Sequence, residues 1–387
     1  MKLSVSVFQP YWTGYGLLAD DITYDIASFS HSISVDGGYD SCSFSVGGAA
    51  SDAEWWHDRL GSHVVVKAPD GTVIWEGFIN SVAISLGALQ LTRGPLLDVA
   101  NRITVSYTEI SRSYSATNRT MGGEQLYTTP YNDTRSQEMW GIQEIMLSAS
   151  SIAPGEADQL GETYAADNAI PRVSQTLNLD PGGGAAVSIK IDCVGYVKML
   201  DKYIFSDITA GVDTSTITEK IGDVIDADPN GIFSTDYHGV AANATVVSRY
   251  DDTYKTARSA ISEMIPLGDS SYNRYIWGIY TDRKIEYKAI PTEIEYIFDL
   301  TDGLQKITTP LGGEIDPWSI RPGKFIQING LSLGALSTHP SQTGIRETPG
   351  IMFIESMSYS APLGLQLAGG RYDKVTQQIN RLGLGGF

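Results

Sequence analysis

The sequence predicts a mainly β protein in which an α+β middle domain separates two copies of one β module. Glycine is abundant, at 40 of 387 residues, and short Val, Ile, Ser and Thr runs are typical of strands joined by tight turns. One ordered set of residues occurs near both ends of the chain, whereas helical spacing is confined to the middle. We expect a first β module over 1–107, an irregular insertion over 108–184, the middle domain over 185–290 and a second β module over 291–387.

The repeated residues indicate a duplicated β module. A Trp stands five residues before a Gly in both copies, at Trp56 and at Trp318, and an apolar strand follows each glycine. The offset between the copies stays between 262 residues, at the two Trp, and 279, at the closing Asn-Arg pairs. Chance matches do not keep such a register. The other matched pairs are Gly47-Gly48 with Gly312-Gly313, Phe78-Ile79 with Phe353-Ile354, Ser81 with Ser356, Ser85 with Ser360, Gln90-Leu91 with Gln366-Leu367, and Asn101-Arg102 with Asn380-Arg381.

The first module is predicted from alternation and turn residues. Residues 41–46 alternate as a strand with one buried face. A short helix is expected over 52–60, with Ser51 or Asp52 as its N-cap. Two hairpins follow, 64–66 with 73–75 around Asp70-Gly71, and 79–86 with 88–91 around Gly87, before a last strand at 103–107.

The insertion has little pattern and contains the linker-like run Asp180-Pro-Gly-Gly-Gly184, so we expect an extended excursion. The middle domain begins with a strand at 187–191. Thr216 and Glu219 form a capping box that opens a helix. Apolar residues from Val247 through Tyr250 and Tyr254 to Ile265 predict one longer amphipathic helix, and a hairpin joins 275–280 with 285–289.

Net charge and cysteine content exclude several classes of protein. A net charge of −18 argues against a sequence-specific nucleic-acid binder and against docking on anionic membranes. No apolar window approaches the length of a membrane helix, and the first ten residues lack a secretory signal. Cys42 and Cys193 are far apart in the chain, so the sequence predicts neither a disulfide framework nor a zinc knuckle. We therefore expect synthesis in a reducing cytoplasm.

Four runs carry a resemblance to a known family: Leu60–Val66, Gly71–Ile79, Leu91–Asp98 and Asp316–Gly323. They resemble the tail hub (baseplate hub) proteins of long-tailed bacteriophages. The resemblance covers most of the chain, although 108–184 have no counterpart. It implies two tail-tube-like β-barrels joined through an inserted mixed domain, and a homotrimer that adapts a sixfold tube to a threefold tip.

The resemblance also implies partners and a location. A hub closes the tail tube around a DNA channel, so its partners would be the ring of tail-tube or distal tail proteins, the tip or fibre proteins and the tape measure protein. DNA would pass without specific binding, and the chain would not insert into a membrane. The protein would reside in the tail tip of the virion after assembly in the host cytoplasm.

No catalytic, cofactor-binding or metal-ligating residue is predicted, and no enzymatic activity. His57 and His63 are six residues apart without a third ligand nearby. The carboxylate clusters at Asp251-Asp252 and at Asp226 and Asp228 are explained by helix ends and solvated faces. The Asp-x-Asp-x-Asp-Gly pattern of calcium loops, the nucleophile elbow and the P-loop are absent.

Two other classes stay open. A carbohydrate-binding or polysaccharide-degrading β protein would stack sugars on Trp55-Trp56, Trp75 and Trp318. However, the equivalent positions of Trp56 and Trp318 favour core packing. An outer-membrane barrel is suggested by the terminal Phe387, but the glycine-rich end and the missing signal count against it.

The acids are concentrated in the middle domain, where residues 201–236 hold eight acids and two bases. They would either line a channel that repels DNA phosphates or solvate an outer surface.

Overall fold

The computed structural model describes residues 3–22, 26–109, 125–177, 187–207, 215–247, 252–271, 273–299, 306–329, 351–361 and 364–370. The strands are β1 (Ser4–Phe8), β2 (Leu17–Ala19), β3 (Ile26–Ser34), β4 (Asp36–Gly47), β5 (His63–Lys67), β6 (Val73–Leu86), β7 (Leu89–Arg93), β8 (Arg102–Glu109), β9 (Gln125–Tyr127), β10 (Tyr131–Asn132), β11 (Glu144–Ile152), β12 (Val173–Leu177), β13 (Val187–Val194), β14 (Ile204–Asp207), β15 (Asp252–Thr256), β16 (Tyr275–Ile279), β17 (Ile285–Ala289), β18 (Ile294–Asp299), β19 (Lys306–Thr308), β20 (Phe325–Asn329), β21 (Ile351–Ala361) and β22 (Gly364–Gly370). The helices are α1 (Ala50–His57), α2 (Thr134–Trp140), α3 (Pro154–Asn168), α4 (Ile217–Asp226) and α5 (Ala257–Met264).

The chain is mainly β and is organised around one mixed sheet of 16 strands. Its main path runs β19-β18-β20-β21-β3-β4-β13-β6-β5-β1-β2, and β7, β12, β16, β17 and β22 branch from it. Two separate closed barrels were expected, but the described strands follow one open path. The reason is that β3 of the first module pairs with β21 of the second, while β13 lies between β4 and β6.

The interior strand β13 shows why this sheet forms. Its residues alternate, with Ile189, Ile191 and Cys193 buried between the neighbouring strands. A strand paired on both edges satisfies its backbone groups on both sides, and its apolar face closes the core. The predicted strand at 187–191 is therefore confirmed, and it lies in the sheet of the first module.

The predicted elements of the first module are present. Both hairpins form, as β5 with β6 and β6 with β7. Helix α1 begins two residues earlier than expected, and Asp52 lies in its first turn instead of at the N-cap. From there its carboxylate accepts the Ala49 backbone N–H at 2.6 Å, which satisfies a donor at the start of the helix.

Residues 125–177 contain more regular structure than the sequence predicts. Strand β11 runs parallel to β8, with β9 and β10 on the other edge of β8. Helix α3 packs its small residues Ala157, Gly161 and Ala165 against Ile103 and Val105. Ala and Gly residues let the helix approach the strand closely, but they have too little apolar side chain to produce a clear hydrophobic pattern in the sequence. The run at 180–184 lies outside the described residues.

The middle domain confirms one helix prediction and corrects another. At α4, the Thr216 backbone N–H donates to the Glu219 carboxylate at 2.8 Å, as a capping box requires. The longer predicted helix is wrong in its first half, because residues 252–256 form β15 against β14. Helix α5 begins only after Thr256, whose hydroxyl accepts the Ser259 N–H at 3.2 Å. Tyr250 lies outside the described residues. The predicted hairpin is present as β16 and β17.

Candidate functional site

The duplicated residues build the same backbone corner twice. Trp56 lies in the last turn of α1, and Trp318 lies in the short helical turn Pro317–Ser319. Each precedes a glycine in the left-handed region, Gly61 with φ +80° and Gly323 with φ +83°. A side chain would strain this conformation, so glycine is needed at both positions. We call these two sites the glycine corners.

The first glycine corner is closed by two backbone hydrogen bonds. The Gly61 N–H donates to the Ile79 carbonyl at 2.8 Å, and the Ile79 N–H donates to the Ser62 carbonyl at 2.9 Å. These bonds join the start of β5 to the middle of β6 and fix how the chain turns from α1 into the sheet.

The second glycine corner repeats this pattern on the residues that the sequence matches. The Gly323 N–H donates to the Ile354 carbonyl at 2.8 Å, and the Ile354 N–H donates to the Lys324 carbonyl at 3.0 Å. The two hydrogen-bonded loops therefore agree bond for bond, and the second joins the start of β20 to the first half of β21. This agreement supports the duplication at the level of backbone geometry.

The copies differ away from the corners. Trp56 is buried against Phe44, with ring centroids 5.7 Å apart, whereas Trp318 is half-buried and meets Tyr359 edge-on at 6.5 Å. Beyond the corner, β5 pairs with β1 in antiparallel fashion, but β20 pairs with β18 in parallel. The hairpin turns also differ, since Ser85 faces Gln90 in β6–β7, whereas Ser358 faces Gln366 in β21–β22. Asn380-Arg381 lie outside the described residues.

The two modules meet along β3 and β21, which pair antiparallel from Ser356↔Ser34 to Ala361↔Phe29. Arg321, next to the second glycine corner, reaches the first module and donates to the Val73 carbonyl at 3.2 Å. The join between the copies is therefore a continuous backbone ladder supported by a side-chain contact.

His31 lies in this join and is buried against Phe29 and Tyr359. Among the described residues, neither of its ring nitrogens has a hydrogen-bond partner. Burial lowers the pKa of His31 to about 3, and the nearby Arg321 charge acts in the same direction. The imidazole is thus held neutral in the folded chain.

A buried polar cluster joins the first module to the middle domain. The Glu76 carboxylate accepts the Asp282 N–H at 2.7 Å and lies 3.3 Å from Nη1 of Arg283. His63 lies 3.8 Å from the same carboxylate, and its Nδ1 is 2.7 Å from the Tyr196 hydroxyl. The Arg283 guanidinium also stacks 3.7 Å above the Tyr11 ring and bonds its hydroxyl.

The electrostatics of this cluster are dominated by burial. Burial raises the pKa of Glu76 to about 7, although Arg283 opposes the shift. Burial lowers the pKa of His63 to about 3, with Arg283 adding to the effect. Glu76 and His63 are both nearly inaccessible to solvent, so their carboxylate and imidazole serve to pack these elements together.

The predicted chemistry-bearing residues do not converge. His57 lies 3.5 Å from Asp58 at the surface, whereas His63 belongs to the buried cluster. The described residues contain no group of three or more His, Cys, Asp or Glu placed to hold a metal ion. Asp251 lies outside the described residues.

Residues 226–231 fit the first six positions of a calcium loop, in which Asn is allowed at the fifth, but Tyr237 stands where the loop needs its bidentate Glu. The structure uses these groups internally. Asp228 accepts the backbone N–H groups of Asn230 and Ile232, and the Asn230 amide binds both backbone groups of Ile142. The loop is therefore stabilised by its own hydrogen bonds.

Three of the four tryptophans considered as sugar platforms are unsuited to stacking, whereas Trp318 is half-buried. Trp56 and Trp75 are buried in the main core. Trp55 is half-buried with the Arg59 guanidinium 4.6 Å above its ring. These positions favour the core-packing interpretation over the carbohydrate-binding alternative.

Cys42 and Cys193 are brought together, which the sequence does not predict. They lie directly opposite each other on β4 and β13, both reduced and both buried. Because the two cysteines are far apart in the sequence, only the register of β13 against β4 shows that they are neighbours.

The acids of the middle domain form a stripe on α4. Glu219, Asp223 and Asp226 lie on its exposed face, while Ile221 and Val224 face the core. The Glu219 carboxylate also accepts the Thr216 N–H, and the Asp226 carboxylate accepts the Tyr237 hydroxyl. Away from α4, Asp201 is paired with Arg258 at 3.1 Å. We call the three exposed residues the α4 acidic stripe.

No helix among the described residues is both long and apolar enough to cross a membrane. Neither the protein-family models nor the curated proteins give a match to this chain. Solved structures do show a distant likeness. The tail protein from Neisseria meningitidis MC58 is similar with a TM-score of 0.40 and 8% identity, over 97% of this chain and 98% of that one. The 43 kDa tail protein of prophage MuSo2 from Shewanella oneidensis is similar with a TM-score of 0.42 and 9% identity, again over 97% and 98%.

Proposed function

We propose that the chain is a structural hub protein of a bacteriophage tail tip. Three copies would form a ring with six similar positions, because each chain carries two copies of one β module. The ring would close the tail tube, contact the neighbouring tube or distal tail ring on one side and tip or fibre proteins on the other, and leave a channel for DNA. No catalytic step belongs to this role.

The observation that carries the proposal is the repeated glycine corner. Two segments far apart in the chain make the same pair of backbone hydrogen bonds and begin strands of one continuous sheet. Two equivalent modules in one chain are what a threefold assembly needs to match a sixfold neighbour. The four runs that resemble tail hub proteins overlap these corners and support the same proposal from the sequence.

Native mass spectrometry over a range of protein concentrations tests the assembly. We expect monomer at low concentration and a species of three chains once the ring forms, since weak interfaces fill only by mass action. A dominant species of five or six chains would contradict the proposal.

A glycan array with a hydrolysis readout tests the carbohydrate alternative, and we expect neither binding nor cleavage.

A further inference from the structure

The opposed cysteines meet the geometric conditions for a bond between them. On β4 and β13 the register runs from Ile191↔Phe44 through Cys193↔Cys42. Directly opposite residues of antiparallel strands direct their side chains to the same face of the sheet. Both thiols therefore lie side by side in the core, each with only 2% of its surface exposed.

The hydrogen bonding of the two strands sets their spacing. The Gly195 N–H donates to the Asp40 carbonyl at 2.8 Å, two residues beyond the cysteines. Because hydrogen-bonded and non-hydrogen-bonded pairs alternate, Cys42 and Cys193 form a hydrogen-bonded pair with Cα atoms about 5.5 Å apart. Disulfides span Cα separations of about 4.4–6.8 Å, most often about 5.5–6 Å.

The neighbours of the pair favour thiol chemistry over metal binding. His31 lies opposite Cys42 on β3, and Ile79 lies opposite Cys193 on β6. His31 and Cys193 are thus two strands apart, about 9.6 Å at the usual strand spacing. Among the described residues, no group of three or more His, Cys, Asp or Glu, these three included, is placed to hold a metal ion.

We propose that Cys42 and Cys193 are a redox-convertible pair that closes to a disulfide when the chain meets a low-molecular-weight disulfide such as oxidised glutathione. One cysteine thiolate attacks the oxidant and releases one reduced glutathione. The other thiolate attacks the mixed disulfide and releases a second, so the two cysteines lose two electrons and two protons. The new S–S bond ties β4 to β13 in the middle of the sheet.

Burial controls when this reaction occurs. It raises the pKa of both thiols well above the usual value, and the attacking species is the thiolate. Oxidation therefore proceeds through local opening of the two strands, and it accelerates under conditions that promote opening.

The test uses the native sequence. The purified chain is incubated with oxidised glutathione, both in buffer and in urea just below the unfolding transition, then quenched in acid and mapped without reduction. We expect an intact mass lower by about 2 Da and a Cys42–Cys193 cross-linked peptide, forming faster in urea. We also expect a higher urea midpoint for the oxidised chain, reversed by dithiothreitol.

A matched variant carries Asp192→Cys with Cys193→Ser, which moves one thiol to the next residue and hence to the opposite face of β13. This variant should not cross-link. The proposal is overturned if both native thiols stay free, or carry only glutathione, or link only between chains. That outcome is read on the native sequence and does not depend on how well the variant folds.

Discussion

At the scale of single residues, the glycine corners show why the duplicated sequence keeps its glycines. Gly61 combines a positive φ with close packing, since a Cβ there would approach Cζ2 of Trp12 at 2.8 Å. Gly71 has a similar φ of +84°, but its Cβ would meet nothing within 4 Å. The two positions therefore separate the cost of backbone strain from the cost of crowding.

Gly61→Ala should lower the free energy of unfolding by about 2–4 kcal/mol, because it adds overpacking to the backbone strain. Gly71→Ala is the control and should cost about 1 kcal/mol from strain alone. Urea denaturation of both variants checks the difference. Equal losses would show that Gly61 is not crowded as the structure describes.

His31 predicts a pH dependence of stability. The pKa of His31 is about 3 in the folded chain, which is below its value in the unfolded chain. The stability gained from keeping the imidazole neutral is therefore fully present above about pH 6.5 and is lost as the pH falls towards 3. His31→Phe keeps an aromatic ring beside Phe29 and Tyr359 but removes the titration. Between about pH 3 and pH 6.5, the free energy of unfolding of the variant should fall less steeply with decreasing pH than that of the native chain. The two slopes should differ by at most about 1.4 kcal/mol per pH unit. Identical pH profiles for the variant and the native chain would refute this account of His31.

At the scale of elements, the capping box of α4 has a measurable role. Thr216→Ala removes the side chain that accepts the Glu219 N–H and should cost about 1 kcal/mol in the free energy of unfolding. Thr216→Ser retains a hydroxyl and should lose much less. Chemical denaturation of both variants decides the matter, and an equal loss would mean that the methyl group, not the cap, matters.

The sequence predicts local elements better than their partners. The repeated Trp and Gly residues, both first-module hairpins and the α4 capping box follow from spacing and turn chemistry, which depend on neighbouring residues. The helix expected through Tyr254 fails because β14 supplies a strand partner, which a helical apolar pattern does not reveal. The pairing of Cys42 with Cys193 was not predicted for the same reason. The register between strands that are distant in the sequence is set by tertiary structure.

In the candidate functional site, too, local features were predicted from the sequence and tertiary contacts were not. The matched Trp and Gly residues were predicted because one short run carries each pair, but the hydrogen bonds that join Gly61 to Ile79 and Gly323 to Ile354 were not. The Glu76 cluster was not predicted, because its members come from separate segments of the first module and from the middle domain. The spacing of residues in the sequence does not predict that Arg283 contacts Tyr11 and Glu76. The expected barrels were replaced by one open sheet among the described strands because the sequence does not specify the β3–β21 pairing.

At the scale of the whole molecule, the α4 acidic stripe tests where the negative charge lies. If the stripe faces the channel, changing Glu219, Asp223 and Asp226 together to Lys should make the assembled ring retain DNA, and added salt should weaken this binding. The native ring should not bind DNA even at low salt.

The control changes three acids of α3, Asp158, Glu162 and Asp167, to Lys, which alters the net charge equally. These side chains are exposed and lie on another helix. Equal DNA retention by both variants would show that net charge alone matters, and the acids would then serve only solubility.

The central claim is that two equivalent modules in each chain build a ring of six positions from three copies. Electron cryo-microscopy of the assembled tail tip, without imposed symmetry, tests it most directly. The account predicts threefold symmetry, with the glycine corners at Gly61 and Gly323 alternating around one ring at nearly equal radius. A ring of five or six chains, or corners at clearly different radii, would contradict it.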